Sequence, residues 1–260
     1  MRILITNDDG IQAEGLAVLE TIAKTLAGPD GEVWTVAPAF EQSGVAHCIS
    51  YAHPTMISQF GDRRYAVEGS PADCVLAGLY EVMKDRRPDL ILSGVNKGNN
   101  SAENTVYSGT LGAAMEGAVQ GIPSIGLSQF YGPDNAMLDN PFEASAQFGV
   151  DVIRKILAIK DESSNAYELF FNVNFPPVPA DSVKGIKVVR QGRRAGTNFG
   201  VELQERPNRR KYLWVTGGDQ RAPSSPDTDV AVNLDGYISV TPMRADLTAH
   251  DMLDSFRGIE

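Results

Sequence analysis

Two hydrophobic patterns alternate along the first 190 residues: short blocks of branched aliphatics, and longer stretches with apolar residues three or four apart. Ile3 to Ile5 is the first block and reads as a buried strand. It stops at Asn7-Asp8-Asp9-Gly10, which is turn chemistry. Leu16, Leu19, Ile22, Ala23 and Leu26 then share one helical face. Glu32 to Ala37 is a second strand, closed by Pro38, and the strand–helix–strand unit is expected to cross over right-handed. Residues 49–67 are irregular and extended, with a turn at Gly61-Asp62 and a hairpin or an excursion expected there. Ser70 caps a further helix, with Pro71 in its first turn and Val75, Leu79, Val82 and Met83 on its apolar side. Strands are expected over 89–93, 123–128, 168–175 and 184–189, and a helix over 142–158.

Beyond Arg190 the alternation fades. Residues 191–210 are polar and rich in Arg, 212–215 and 236–240 read as strands around a loop at 223–229, and 247–256 reads as a short helix. The pattern therefore predicts a doubly wound α/β core over residues 1–190 and a β-rich arm with a terminal helix over 191–260. An isolated strand pair is marginal in water and needs a packing partner, so the arm is expected to serve assembly more than chemistry.

Hydrophobic residues make up 42% of the chain and charged residues 22%, ordinary for a soluble globule. The formal net charge of -10 argues against a nucleic-acid polymer or an anionic membrane as partner, since both select basic surfaces. It leaves room for a small anionic substrate if a bound cation reverses the local field. Cys48 and Cys74 have no paired metal-ligand spacing, and no signal-peptide pattern or membrane-length apolar run is visible, so a cytoplasmic protein with reduced thiols is expected.

Three loops follow predicted strands and carry the candidate chemistry. Asp8 and Asp9 follow the first strand, Ser43 follows the second, and Asn96 lies in the long Gly- and Asn-rich stretch 93–104 after the third. In an open α/β sheet such loops meet where ligands bind. One Asp capping the helix and the other solvated is the competing structural reading, and it explains one carboxylate better than two. Two carboxylates, a hydroxyl and an amide carbonyl form a hard oxygen set suited to Mg²⁺, Mn²⁺ or Ca²⁺. His47, His53 and His250 form no H-x-x-x-H pair, which disfavours zinc. Two carboxylates neutralise one divalent ion and leave it able to accept phosphate oxygens and a water. Ser108-Gly109-Thr110 opens a helix of small residues, 111–117, whose amino end offers N–H groups to an anion; a plain N-cap at Ser108 uses the same geometry.

Other phosphate machineries lack their residues. There is no G-x-x-x-x-G-K-[ST] loop and no G-x-G-x-x-G after strand one. An aspartyl-nucleophile phosphatase would pair two Asp one residue apart, and here that spacing pairs Asn7 with Asp9. Ser43 in Gln42-Ser43-Gly44 lacks the spacing of a nucleophile elbow. Direct attack by water activated at the cation is the expected chemistry, with Asp8 and Asp9 as the catalytic carboxylates.

The chain resembles the SurE family, the stationary-phase survival proteins, which are metal-dependent 5′/3′-nucleotidases. The resemblance is carried by Ile5-Thr6-Asn7-Asp8-Asp9-Gly10, Glu41-Gln42-Ser43-Gly44, Gly69-Ser70-Pro71-Ala72-Asp73-Cys74, Ser93-Gly94-Val95-Asn96-Lys97-Gly98-Asn99-Asn100, Tyr107-Ser108-Gly109-Thr110 and Asp246-Leu247-Thr248-Ala249-His250. It implies a Rossmann-like core, and one divalent ion per subunit held by Asp8, Asp9, Ser43 and Asn96. It implies nucleoside monophosphates as substrates, short polyphosphate as a side substrate, and a homodimer or homotetramer built partly through the carboxyl-terminal arm. Asn96, Ser108, Gly109 and Thr110 are the expected phosphate contacts. Two places depart from the family pattern: Ala102-Glu103-Asn104 stands where many members have Gly-Asp-Asp, and Asp227-Thr228-Asp229 where Gly-Thr-Asp is common. A non-catalytic, metal-dependent nucleotide-binding or regulatory module is the alternative that the sequence leaves open.

Overall fold

Ile3, Leu4 and Ile5 alternate across strand β1 (Arg2–Thr6), and their two directions build two different cores. Ile3 and Ile5 pack with Leu16, Leu19 and Ile22 of helix α1 (Glu14–Ala27). Leu4 faces the opposite side, in a cluster with Val75, Leu79 and Met83. A strand buried on both faces is the mark of a sheet covered by helices on each side. The computed structural model describes residues 1–159, 168–196 and 199–260.

Strand β2 (Glu32–Pro38) follows α1, and the hairpin β3 (Ile57–Gly61) and β4 (Arg64–Val67) turns where Gly61-Asp62 predicted. Helix α2 (Pro71–Ala77) opens on a capping box: Ser70 Oγ accepts from the Asp73 amide, and Asp73 accepts from the Ser70 amide. Strand β5 (Leu90–Lys97) is longer than its hydrophobic block suggested. Its pairing shifts register between Ser93 and Asn96, and the strand resumes past that irregularity. Helix α3 (Gly109–Val119), strand β6 (Ser124–Gln129), helix α4 (Glu143–Leu157), strand β7 (Phe170–Phe175) and strand β8 (Gly185–Val188) complete the alternating part.

The sheet has nine strands in the order β3-β4-β2-β1-β5-β6-β7, then strand β11 (Tyr237–Met243), then β8. From β4 to β7 all neighbours are parallel; β3 and β11 join the two sides antiparallel, and β8 runs parallel to β11. The chain winds outward from β1 in one direction, returns, and winds outward from β5 in the other. The order therefore reverses between β1 and β5, which is where open α/β sheets bind ligands.

The segment read as an arm divides in two. Strands β9 (Gly200–Glu205) and β10 (Lys211–Thr216) form a separate antiparallel hairpin, whereas β11 returns to the central sheet beside β7. Helix α5 (Asp229–Leu234) starts inside the stretch expected to be loop. The terminal helix is shorter than the pattern suggested: a 3-10 turn at His250–Met252 precedes α6 (Leu253–Phe256), and no residue of either is buried. Among the described residues no helix is long and apolar enough to cross a membrane.

Candidate active site

The reversal point brings the predicted loops together. Asp8 leaves the end of β1 buried, 4% exposed, and a cavity of about 580 Å³ is lined by Asp8, Ser43, Asn96 and Ser108 on its acidic and hydroxyl side. That volume suits a small ligand. A larger cavity of about 680 Å³ lies at α4 and β11; aliphatic side chains dominate its lining, and none of the expected site residues reaches it.

Each side chain of the site is held by identifiable contacts. Asp8 Oδ1 accepts from the Thr110 hydroxyl at 2.7 Å and Asp8 Oδ2 from the Thr110 amide at 3.1 Å. Asp9 Oδ2 accepts from the Lys97 amide at 3.0 Å, tying the end of β1 to the end of β5. Ser43 donates to Glu41 at 2.8 Å, which leaves its oxygen lone pairs for another partner. Asn96 donates through its amide nitrogen to the Gly98 carbonyl at 2.9 Å, so its own carbonyl oxygen is the acceptor it offers. Ser108 caps α3 by accepting from the Leu111 amide at 3.1 Å and keeps its own proton for donation.

Gly109 explains why a strand-end carboxylate sits against this helix start. A Cβ there would lie 3.0 Å from Asp8 Cβ and 3.1 Å from Pro71 Cγ. Glycine permits the approach that lets Thr110 reach Asp8.

Both carboxyls at the end of β1 are hard to charge. Burial, and then the neighbouring charge of Asp9, push the Asp8 carboxyl up to about 6, against the lowering effect of the Thr110 bonds. Asp9 is also raised, chiefly by burial, with the Lys97 amide opposing. Among the described residues neither Asp forms an ion pair with a basic side chain. Two adjacent acids, unpaired and partly desolvated, fit a hard divalent cation better than they fit a helix cap. Among the described residues no group of three or more His, Cys, Asp or Glu comes together, so a cation here would find two carboxylates at most, with the Ser43 and Asn96 oxygens as the expected further donors.

Thr110, an expected phosphate contact, donates through both its amide and its hydroxyl to Asp8, across the close approach that Gly109 allows. The stretch after Arg190 contributes to the cavity wall through Phe199, Val215 and Gln220, which no local motif signals. Tyr107 meets Phe199 edge-to-face, ring centroids 4.8 Å apart.

Fold and cavity together define an α/β protein with an oxygen-rich cavity at the switch point of a doubly wound sheet. The family model described as Survival protein SurE matches residues 3–198, and the chain belongs to that family. A protein of Jannaschia sp. (strain CCS1) named 5′-nucleotidase SurE is 70% identical over 259 residues, 99% of this chain and 98% of its own length. A namesake from Roseobacter denitrificans is 65% identical over 259 residues, covering 100% of this chain and 99% of its own. The crystal structure of the SurE protein from Aquifex aeolicus aligns with a TM-score of 0.81 at 35% identity, covering 100% of this chain and 99% of that one.

Proposed function

We propose that the chain hydrolyses nucleoside 5′- and 3′-monophosphates to nucleoside and phosphate, using one divalent cation held by Asp8, Asp9, Ser43 and Asn96. The enzyme class follows from kinship: relatives matched end to end at 65–70% identity carry the name 5′-nucleotidase, and the chain is a phosphoric monoester hydrolase. The observation that carries the finer reading is the pair of adjacent acids without a basic partner at the end of β1: Asp8 lines the cavity beside the amino end of α3, and Asp9 follows it, held by the Lys97 amide.

A Mg²⁺ or Mn²⁺ ion bound there supplies Lewis acidity to a phosphoryl oxygen and lowers the pKa of a coordinated water. The chain does the rest. Asp8, fixed by Thr110, anchors the donor set. Asp9, less buried and held through one oxygen by the Lys97 amide, orients the attacking water as general base. The Asn96 side chain, the Ser108 hydroxyl and the Gly109 amide donate to equatorial phosphate oxygens as charge develops on them. Water attacks phosphorus, the P–O ester bond breaks, and a proton passes to the leaving nucleoside oxygen.

The working form is a cytoplasmic homodimer or homotetramer. The support is the hairpin β9–β10: Val201, Leu203, Leu213 and Val215 share one face, and each is more than half exposed. An apolar face of that kind asks for cover by a neighbouring subunit.

The test is phosphate release from a panel of nucleoside monophosphates with Mg²⁺, Mn²⁺ or excess chelator. Activity is expected only with an ion present; full activity in chelator refutes the metal-dependent reading.

A further inference from the structure

Arg194 has none of its side-chain surface exposed, yet all five of its guanidinium N–H groups have acceptors. Nε donates to the Gln220 carbonyl at 3.1 Å. Nη1 donates to the Ser101 carbonyl at 3.1 Å and Glu103 Oε1 at 3.0 Å. Nη2 donates to Asn99 Oδ1 at 2.6 Å and Ser101 Oγ at 3.1 Å. The Arg194 amide also donates to Glu103 Oε2 at 3.2 Å. The planar fork thus ties two stretches far apart in sequence: the loop 99–104 after β5, and Gln220 beyond the hairpin.

Those two stretches meet in the cavity wall. Gln220 Oε1 accepts from Asn104 Nδ2 at 2.7 Å and from Asn99 Nδ2 at 3.3 Å. Asn104 and Gln220 line the same cavity as Asp8, with Tyr107 and Phe199 alongside. One part of the wall therefore carries the Asp8 carboxylate and hydroxyls, and another carries amides and aromatic rings. The first suits a cation and a phosphate; the second suits a flat heteroaromatic ring with hydrogen-bonding edges. A buried charge is a weak device for stability alone, but five directed donors fix geometry.

We propose that Arg194 is a positioning residue for the nucleobase half of the site: it fixes the Asn104–Gln220 amide pair that, with Tyr107 and Phe199, receives the base. This rests on the nucleotidase reading above.

The experiment compares the full-length wild type, Arg194→Lys and Gln220→Leu in steady-state kinetics. The substrates are a nucleoside 5′-monophosphate and ribose 5-phosphate, which has the phosphate and sugar but no base. Lysine keeps the charge and offers three donors on a compact ammonium, so it cannot satisfy five acceptors in a plane. Arg194→Lys is expected to raise KM for the nucleotide roughly tenfold with kcat little changed, and to leave turnover of ribose 5-phosphate as in wild type. Gln220→Leu is expected to raise the nucleotide KM in the same way without lowering the melting temperature, and it decides the matter if Arg194→Lys does not fold. Equal losses on both substrates, or an unchanged nucleotide KM, overturn the proposal. A wild type that turns over ribose 5-phosphate but no nucleotide overturns the reading beneath it as well.

Discussion

The Thr110 hydroxyl donates to Asp8 Oδ1 at 2.7 Å while the Thr110 amide donates to Asp8 Oδ2 at 3.1 Å, so one residue at the start of α3 grips both oxygens of the carboxylate at the end of β1. Orientation of Asp8 then depends on a helix and a strand that are 102 residues apart in sequence. Thr110→Val keeps the shape and removes the hydroxyl donor. A hydrogen bond to a charged group contributes about 1.5–3 kcal/mol, so kcat is expected to fall roughly tenfold or more. Unchanged kcat and metal affinity in this variant would show that the grip is not needed.

The two acids and the hydroxyl of the proposed donor set are not expected to be equivalent. Asp8→Asn or Asp9→Asn removes a negative charge from a site whose residues offer only two, and should nearly abolish turnover while the melting temperature holds or rises. Ser43→Ala should be milder, because water replaces a neutral, exposed hydroxyl. Kinetics in which Ser43→Ala is worse than Asp9→Asn would contradict this ordering.

The loop that carries Ser43 is tied to α3 further on. His47 Nε2 lies 2.6 Å from Glu116 Oε2, and Gln120 donates to Glu116 Oε1 at 2.8 Å. The His47 bond, aided by Gln120, holds the Glu116 carboxyl below its usual range against burial and the nearby Asp73 charge. A carboxyl lowered on folding adds stability above its unfolded pKa and loses it as the pH falls through its folded pKa. Glu116→Gln should therefore melt below wild type near neutrality, and the gap should close as the pH drops below about 4. Thermal melts across that range check it; a gap that widens in acid has the wrong sign.

Both departures from the family's glycine pattern fall at left-handed backbone. Ala102 has φ 52° and Asp227 has φ 58°. A side chain there costs about 1–2 kcal/mol, partly offset by the extra freedom that glycine loses on folding. Asp227 is exposed, so Asp227→Gly should stabilise by about 0.5 kcal/mol in chemical denaturation. Ala102 is fully buried, and its methyl contributes about 0.8 kcal/mol, so Ala102→Gly should be nearly neutral. Destabilisation by Asp227→Gly would show that its side chain makes up for the strain.

Ending the chain near Arg190 would strip β11 from the central sheet, so assembly has to be tested on the hairpin itself. Leu203 and Leu213 are directly paired on its apolar face. Leu203→Glu with Leu213→Glu should dissociate the oligomer in light scattering, with the central sheet intact by circular dichroism. A full-length wild type that is monomeric at micromolar concentration would refute the assembly role.

The doubly wound core was legible because each strand buries aliphatics and each helix presents a stripe. Ile3 to Ile5 and Leu16, Leu19 and Ile22 carry that signal locally. The loops of Asp8, Ser43 and Asn96 were legible for the same reason: strand ends fix where they meet. The return of β11 was not, since a strand's pattern does not name its neighbour in the sheet. Nor were Arg194 and Gln220, whose contacts span 26 to 95 residues of sequence and leave no local spacing to read. A helix start offers donors to any anion, so the sequence alone does not show that the Thr110 amide and hydroxyl reach Asp8.

The proposed role of Asp8 and Asp9, holding a divalent ion that serves phosphate release, is tested by titrating Mn²⁺ into chelator-treated enzyme while bound ion and phosphate release from a nucleoside 5′-monophosphate are followed together. Activity is expected to rise in step with one ion bound per chain, and Asp9→Asn to lose both. Activity that appears before any ion is bound, or an ion bound equally well by Asp9→Asn, would contradict it.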